Sequence, residues 1–324
     1  MRRGLGHGIG VALAVAALAG CAGTSNQALD DSLAALDARG ATTTAPSTTP
    51  QTPPPCNVRA SLRPTASLPA PGAMPPGSYM AQIRQRGRLV VGVDQNTLKF
   101  AYFNPLDGRL EGFEIDLARA LAQAISGNPT DVRFVALTTA QRLPAVQNGT
   151  VDVVIDAVTI TCERRQEVDF SSVYYDAVQR LLVPIGSKIA TVADLAGKRV
   201  CATKGSTELD GLISEQPKAI RFPVASRTDC LVALQQGTAD AITSDDSILL
   251  GFKAQDPYTK LVGPPISPQP YGMAISKAHP DFVRFVNGVL AKLFANGGWR
   301  QTYAKWLGGL VKTIPAPPTP QYSG

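Results

Sequence analysis

From about Ser78 onward, short apolar runs alternate with stretches in which apolar residues recur at helical spacing. Tyr79 to Arg86 has that spacing and stops at Gly87, while Leu89 to Val93 is an unbroken apolar run ending at Asp94, as a buried strand reads. Phe113 to Ile125 follows as an amphipathic helix, Val132 to Ala136 as a strand, Thr139 to Asn148 as a helix and Val153 to Ile155 as another strand. The order then repeats. Arg199 to Thr203, Ile220 to Val224 and Ala241 to Thr243 are strands, separated by helices at Glu208 to Ser214 and Asp229 to Gln236 and followed by one at Asp246 to Ala254. A strand at Tyr271 to Ile275 and helices at His279 to Ala295 and Trp299 to Leu307 are left to pack back on the first half. Such alternation predicts an α/β fold with mostly parallel sheets.

Two segments of this pattern are copies of one another. Leu143-Pro144-Ala145-Val146-Gln147-Asn148-Gly149-Thr150-Val151-Asp152 recurs as Leu231-Val232-Ala233-Leu234-Gln235-Gln236-Gly237-Thr238-Ala239-Asp240, with six positions identical in register. Each reads as a helix stopped by its glycine and then a strand. Two similar α/β lobes follow, the first from residues 78–178 and 268–312 and the second from residues 179–267. The chain then crosses between them twice, near Ala177 to Val183 and Gly263 to Pro268, as a two-strand hinge. Ligands of open α/β sheets sit at the carboxyl ends of strands, so a cleft between the lobes is the expected site.

The ends of the chain do not share the pattern. Arg2 and Arg3 precede an apolar run from about Ile9 to Leu18, the layout of a secretory signal over residues 1–20. It is too short to remain as a membrane-spanning helix. Leu18-Ala19-Gly20-Cys21 resembles the lipobox of bacterial lipoproteins, which implies lipidation at Cys21 and anchorage to the outer face of the cell membrane. Residues 21–77 turn to Thr, Pro, Ser and Ala, most densely from Thr42 to Pro55, and read as a tether. A proline-rich tail is expected at residues 313–324.

Charge changes the picture little. The formal excess is +6, two of which belong to the signal, and the other basic residues are scattered, which disfavours nucleic acid as a partner. Setting Cys21 aside leaves Cys56, Cys162, Cys201 and Cys230, an even number that allows three pairings. Cys201 and Cys230 are the local candidates, which leaves Cys56 with Cys162. No CxxC spacing occurs and His7 and His279 are badly placed, so neither a metal nor a cofactor is expected.

The chemistry concentrates in Asp152 to Arg165. An apolar strand passes through hydroxyl residues into a charged segment that Thr161 is placed to N-cap. A helix start beside a guanidinium suits a small anion such as a carboxylate, and Arg164 is the first-choice holder. The second copy leads correspondingly to Ser244 and Asp245.

Gly92-Val93-Asp94, Gly112-Phe113-Glu114-Ile115-Asp116, Thr159-Ile160-Thr161-Cys162-Glu163-Arg164-Arg165, Lys204-Gly205-Ser206-Thr207, Thr243-Ser244-Asp245-Asp246 and Pro270-Tyr271-Gly272 stand in one order. Together they resemble the polar amino-acid-binding family of ABC-importer solute receptors. The cysteine pattern and proline-rich ends are most similar to its actinobacterial glutamine-binding lipoproteins. The resemblance implies a type II periplasmic-binding-protein fold, no enzymatic activity, and a monomer partnered by an amino acid and an ABC permease. It also implies that Arg164 holds the ligand α-carboxylate with Thr159 and the backbone around Thr207, and that Asp245 accepts the α-ammonium. A zwitterion taken out of water needs both charges matched.

Ala157, Ser206, Lys204 and Tyr271 fall within the matching motifs and join the candidate ligand site. The side-chain pocket departs from the family pattern: Thr97 and Thr139 stand where aromatic residues are common, and Asp156 where small ones are usual. Arg142 occupies a position that reaches the ligand side chain in acidic-amino-acid receptors, and Asp94 and Asp156 add negative charge nearby. Glutamine, glutamate and aspartate are the expected ligands. Two alternatives use the same architecture: a sensor read by a membrane signalling protein, and a dehydratase-like enzyme using Asp156 or Asp94 as a cleft carboxylate.

Overall fold

A computed structural model of the protein describes residues 55–323; the expected signal, Cys21 and the earlier part of the expected tether lie outside the described residues. Strand β1 (Ala60–Leu62) precedes helix α1 (Tyr79–Gln85), and the apolar run at Leu89–Val93 is strand β2, buried along its length. Next come β3 (Asn96–Thr97), β4 (Ala101–Asn104) and β5 (Arg109–Glu111), an antiparallel sheet absent from the sequence reading. Helix α2 (Phe113–Ser126), β6 (Val132–Ala136), α3 (Arg142–Gln147), β7 (Val153–Val154), the single turn α4 (Arg164–Glu167) and β8 (Asp169–Phe170) continue the first lobe.

Strand β9 (Tyr175–Pro184) leads into the second lobe: β10 (Arg199–Thr203), α5 (Thr207–Glu215), β11 (Ile220–Val224), α6 (Arg227–Gln235), β12 (Ala241–Asp245), α7 (Asp246–Gln255) and β13 (Thr259–Val262). The chain returns through β14 (Pro268–Tyr271) to β15 (Ala274–Ile275), α8 (Pro280–Ala295), α9 (Gly298–Leu307) and β16 (Gln321–Ser323).

The first-lobe sheet has the order β6-β2-β7-β15-β8, and the second β11-β10-β12-β9-β13 with β14 paired to β9. Strands β2, β6 and β7 pair in parallel, as do β10, β11 and β12, but β9 and β15 run antiparallel to their neighbours. The antiparallel pairs arise on the crossing path, because a chain that leaves one lobe and returns to it must run back. Residues 175–178 of β9 pair with β14, whereas residues 179–184 pair with β12 and β13, so one strand serves both lobes.

The duplicated segment has a structural explanation. Both copies end a helix at a left-handed glycine, Gly149 at φ 73° and Gly237 at φ 67°. The aspartate that closes each copy then accepts a backbone N–H from the neighbouring strand: Asp152 from Val90 at 2.7 Å and Asp240 from Arg199 at 2.7 Å. Each also pairs with an arginine, Arg86 or Arg199. The repeat thus sets strand register twice, and the strands it feeds, β7 and β12, lead to the cleft.

An aromatic cluster ties the C-terminal helices to the first lobe. Phe113, Trp299 and Tyr303 meet at ring separations of 5.9 and 6.1 Å from Phe113, Tyr175 stacks on Tyr271 at 5.6 Å, and the Trp299 indole donates to the Tyr174 carbonyl. The polar segment before residue 78 is also packed. Strand β1 pairs in parallel with β16, Ser61 donates to the Phe170 carbonyl at 2.7 Å, the Asn287 amide donates to Ser61 and Leu62, and Met74 is buried. Residues 55–77 and the end of the proline-rich tail therefore belong to the folded body. Their composition hid this because backbone pairing, a few apolar contacts and a disulfide hold them, rather than an amphipathic face. Both disulfides, Cys56–Cys162 and Cys201–Cys230, are present, with Cα separations of 5.6 and 5.5 Å.

Candidate functional site

The strands of the first lobe end at Asp94 (after β2) and in the segment from Asp156 to Thr159 (after β7). This segment lies along the hinge, where Thr159 bridges Tyr271 and the Ile160 N–H donates to the Pro270 carbonyl. Ala157 takes a left-handed conformation at φ 46°, unusual for a residue with a Cβ. Its N–H donates to the buried Glu114 carboxyl at 2.7 Å, which also receives the Tyr174 hydroxyl. Glu114, in the first turn of α2, thus fixes the bend; burial, with Asp156 nearby, pushes its pKa up to about 7.

Arg164 folds back over this segment. Its Nη1 donates to the Thr159 carbonyl at 2.7 Å and its Nη2 crosses to the Gly205 carbonyl of the second lobe at 3.0 Å. Thr161 Oγ1 accepts the Arg164 N–H at 3.1 Å, but the N-cap position expected for Thr161 is held by Glu163, whose side chain makes no capping bond. The helix that follows is a single turn, so an anion here would rest on the guanidinium rather than on a macrodipole. Gly205, at φ 78°, sits so close to the first lobe that a Cβ would lie 2.9 Å from Ala140 Cα. Only glycine satisfies both the turn and the approach.

The second lobe contributes Asp245, which ends β12 and precedes α7. Its Oδ2 accepts the Tyr271 hydroxyl at 2.5 Å, and Tyr271 also bonds Ser247 at 2.8 Å. Its Oδ1 is buried and meets no hydrogen-bond partner. Burial, with the Glu208 carboxyl beside it, holds Asp245 well above the usual carboxylate range. A buried acceptor of this kind is costly unless a donor arrives.

One cavity is walled by Thr139, Arg142, Ala157, Thr159 and Arg164 from the first lobe and by Ser206, Thr207, Glu208, Arg227 and Asp245, among others, from the second. Of the residues expected from sequence, Arg164, Asp245, Thr159, Ala157, Arg142, Thr207 and Ser206 line it. Ser206 doubles as the cap of α5, accepting the Leu209 N–H at 3.2 Å. Tyr271 stands behind the wall and holds Asp245. Lys204 is exposed and off the cavity wall, because the turn that brings the Gly205 carbonyl inward leaves the lysine outside; this corrects its place among the candidate contacts.

Arg142 is buried, which pushes its pKa down to about 10. Its donors go to the carbonyls of Thr139, Asp156, Ala157 and Gly205 at 2.9, 2.9, 3.0 and 3.4 Å, so its side chain braces the loop rather than reaching past it.

Asp94 and Asp156 converge on a residue that the sequence reading passed over. Arg227, the first residue of α6, reaches from the second lobe and donates through Nη1 to Asp94 at 2.7 Å, to Asp156 at 2.6 Å and to Thr97 at 3.2 Å. All four side chains are buried. In the sequence Arg227 is one charge in the capping box Ser226-Arg227-Thr228-Asp229, which reads as solvated. Glu208 and Glu114 were missed for the same reason, as first-turn acids are common on any helix. No group of three or more His, Cys, Asp or Glu placed to hold a metal occurs among the described residues, and no described helix is long and apolar enough to cross a membrane.

Residues 89–309 match the family model of bacterial extracellular solute-binding proteins, family 3. The chain is 37% identical over 229 residues to the ABC transporter glutamine-binding protein GlnH of Bacillus subtilis (strain 168), covering 70% of this chain and 84% of that protein. It is 30% identical over 246 residues to a glutamate/aspartate import solute-binding protein of Salmonella typhimurium, covering 72% and 81%. Among solved structures, an ancestral arginine-binding protein bound to glutamine superposes with a TM-score of 0.65 at 33% identity, over 69% of this chain and 99% of that one. These relatives are binding proteins, not enzymes. A chain built on two α/β lobes with a double crossing, and matching that model through both of them, belongs to the bacterial extracellular solute-binding proteins of family 3.

Proposed function

We propose that the protein is a lipid-anchored extracytoplasmic receptor that binds a polar amino acid, glutamine, glutamate or aspartate, between its lobes and delivers it to an ABC permease. Arg164 receives the α-carboxylate with help from Thr159 and the backbone at Thr207. Asp245 and Glu208 receive the α-ammonium. The observation that carries this reading is the unpartnered, buried Asp245 Oδ1 on the same cavity as Arg164, with the guanidinium on one lobe and the neighbouring Asp245 and Glu208 carboxyls on the other. A zwitterion satisfies both at once, whereas a simple anion or cation satisfies one. The names of the relatives support the substrate class. Because the contacts come from both lobes, the ligand favours the arrangement in which they meet, and β9 and β14 absorb the movement. Anchorage through Cys21 keeps the receptor beside its membrane partner.

The test is calorimetric titration of Arg164→Ala with glutamine, glutamate and aspartate. Loss of one carboxylate partner of a bound, desolvated ligand is expected to weaken binding by at least about a hundredfold, with a circular dichroism spectrum like that of the wild type. Unchanged affinity would refute the role given to Arg164.

A further inference from the structure

The three arginines of the site meet one short segment, two of them at its Asp156 end. Arg164 donates to the carbonyl of Thr159, Arg142 to those of Asp156 and Ala157, and Arg227 to that of Asp156 at 3.3 Å. Arg164 and Arg227 therefore mark opposite ends of a segment that, even fully extended, spans at most ~10 Å. The cavity along this segment holds only about 10 Å³ as it stands, so an amino acid whose carboxylate sits on Arg164 enters as the lobes part, and its side chain then runs along this segment. The carbon skeleton of glutamine or glutamate is about 5 Å long when extended. At the far end it meets Arg227.

Arg227 is equipped for that encounter in a way its neighbours are not. The donors of Arg142 are spent on four backbone carbonyls, and Lys204 lies outside the cavity. Among the described residues, Nη1 of Arg227 carries the bonds to Asp94, Asp156 and Thr97, Nη2 makes only the 3.3 Å contact, and Nε makes none. The capping box at Ser226 and Asp229 fixes the start of α6, and the two carboxylates fix the guanidinium. Arg227 also stands in the wall between the ligand cavity and an adjoining chamber of about 180 Å³, so it closes the cavity at that end.

Resting on the receptor reading above, we infer that Arg227 is the specificity-determining residue of the site, donating to a carboxylate or carboxamide oxygen at the end of the ligand side chain. Asp94 and Asp156 hold it in place. Ligands of matching length that lack this oxygen leave its donors facing an apolar group, and are rejected on that ground. A cation that merely latches the lobes together would weaken every ligand alike when removed.

Dissociation constants of the full chain decide between these roles. Whichever of glutamine, glutamate, asparagine and aspartate binds tightest is compared with its oxygen-free analogue, norvaline or α-aminobutyrate, in the wild type, Arg227→Met, Arg227→Lys and Arg164→Lys. The preference for the oxygen-bearing ligand is expected to fall at least tenfold in Arg227→Met and at least threefold in Arg227→Lys. In Arg164→Lys both ligands should weaken by a similar factor. Arg227→Lys keeps a cation between Asp94 and Asp156 and serves if the methionine variant does not fold. An unaltered preference in a folded Arg227 variant overturns the inference and leaves the receptor reading standing. A wild type that binds none of these amino acids overturns both.

Discussion

Glu114 carries the clearest pH signature of any single residue. Its carboxyl has an ordinary value of 4.5 in the unfolded chain and about 7 in the fold, chiefly through burial. Between these values the native state holds a proton that the unfolded state has lost, so this group's contribution to stability falls as pH rises from about 4.5 through 7. The loss amounts to about 3 kcal/mol. Glu114→Gln keeps an Oε1 acceptor for the Ala157 N–H and the Tyr174 hydroxyl, and should flatten that slope. Denaturant titrations at pH 5 and pH 8 are expected to show the variant gaining on the wild type as pH rises. A parallel pH dependence in both proteins would contradict the assignment.

What the sequence revealed at this scale follows from where residues stand relative to strands. Arg164, Thr159 and Asp245 come just after apolar runs, and a residue there faces the cleft whatever else surrounds it. Arg227 and Glu208 begin helices, where charge is ordinarily solvated; Arg227 gains its buried partners only from the approach of the second lobe to the first, and Glu208 its neighbour Asp245 only from the folding of the second lobe. Arg142 was visible as a charge near the site. That its donors are spent on carbonyls is a property of the folded loop.

Among the elements, the duplicated helix and strand were legible because a glycine stop and a register-setting aspartate must both recur if the unit is to dock on its neighbour. The antiparallel strands were not, since direction along the crossing path depends on how the chain returns and not on any local pattern. The N-terminal segment is the clearest departure from composition. It is polar and proline-rich, yet Cys56 bonds Cys162 across a sequence separation of 106, and Arg59 pairs with Asp176 of β9 at 2.6 Å. The segment is thereby fastened both to the loop that carries Arg164 and to the hinge. Replacing Cys56 and Cys162 with serine is expected to lower the unfolding free energy by about 2–5 kcal/mol, mostly by releasing a long loop in the unfolded chain. Thermal and denaturant unfolding of the double variant measure this, and an unchanged midpoint would mean the segment is held by other contacts alone.

For the molecule as a whole, a few polar contacts cross the cleft, beside an apolar cluster to which both lobes contribute. The Gly205 carbonyl accepts from both Arg164 and Arg142, and Arg227 joins α6 to the strand ends of the first lobe. A buried ionic cluster is a weak source of stability but a strict one, since removing a single partner strands the others in a medium of low polarity. A ligand moves the balance between lobes only by what it gains in one arrangement over the other. The zwitterion gains most where Arg164 and Asp245 face each other. A crystal structure of the full chain grown with glutamine or glutamate tests this most directly. The expected result is an α-carboxylate on the Arg164 guanidinium, an ammonium within hydrogen-bonding distance of Asp245 Oδ1, and a side chain directed at Arg227. An amino acid bound elsewhere, or in the cleft with Asp245 Oδ1 still unpartnered, would contradict it.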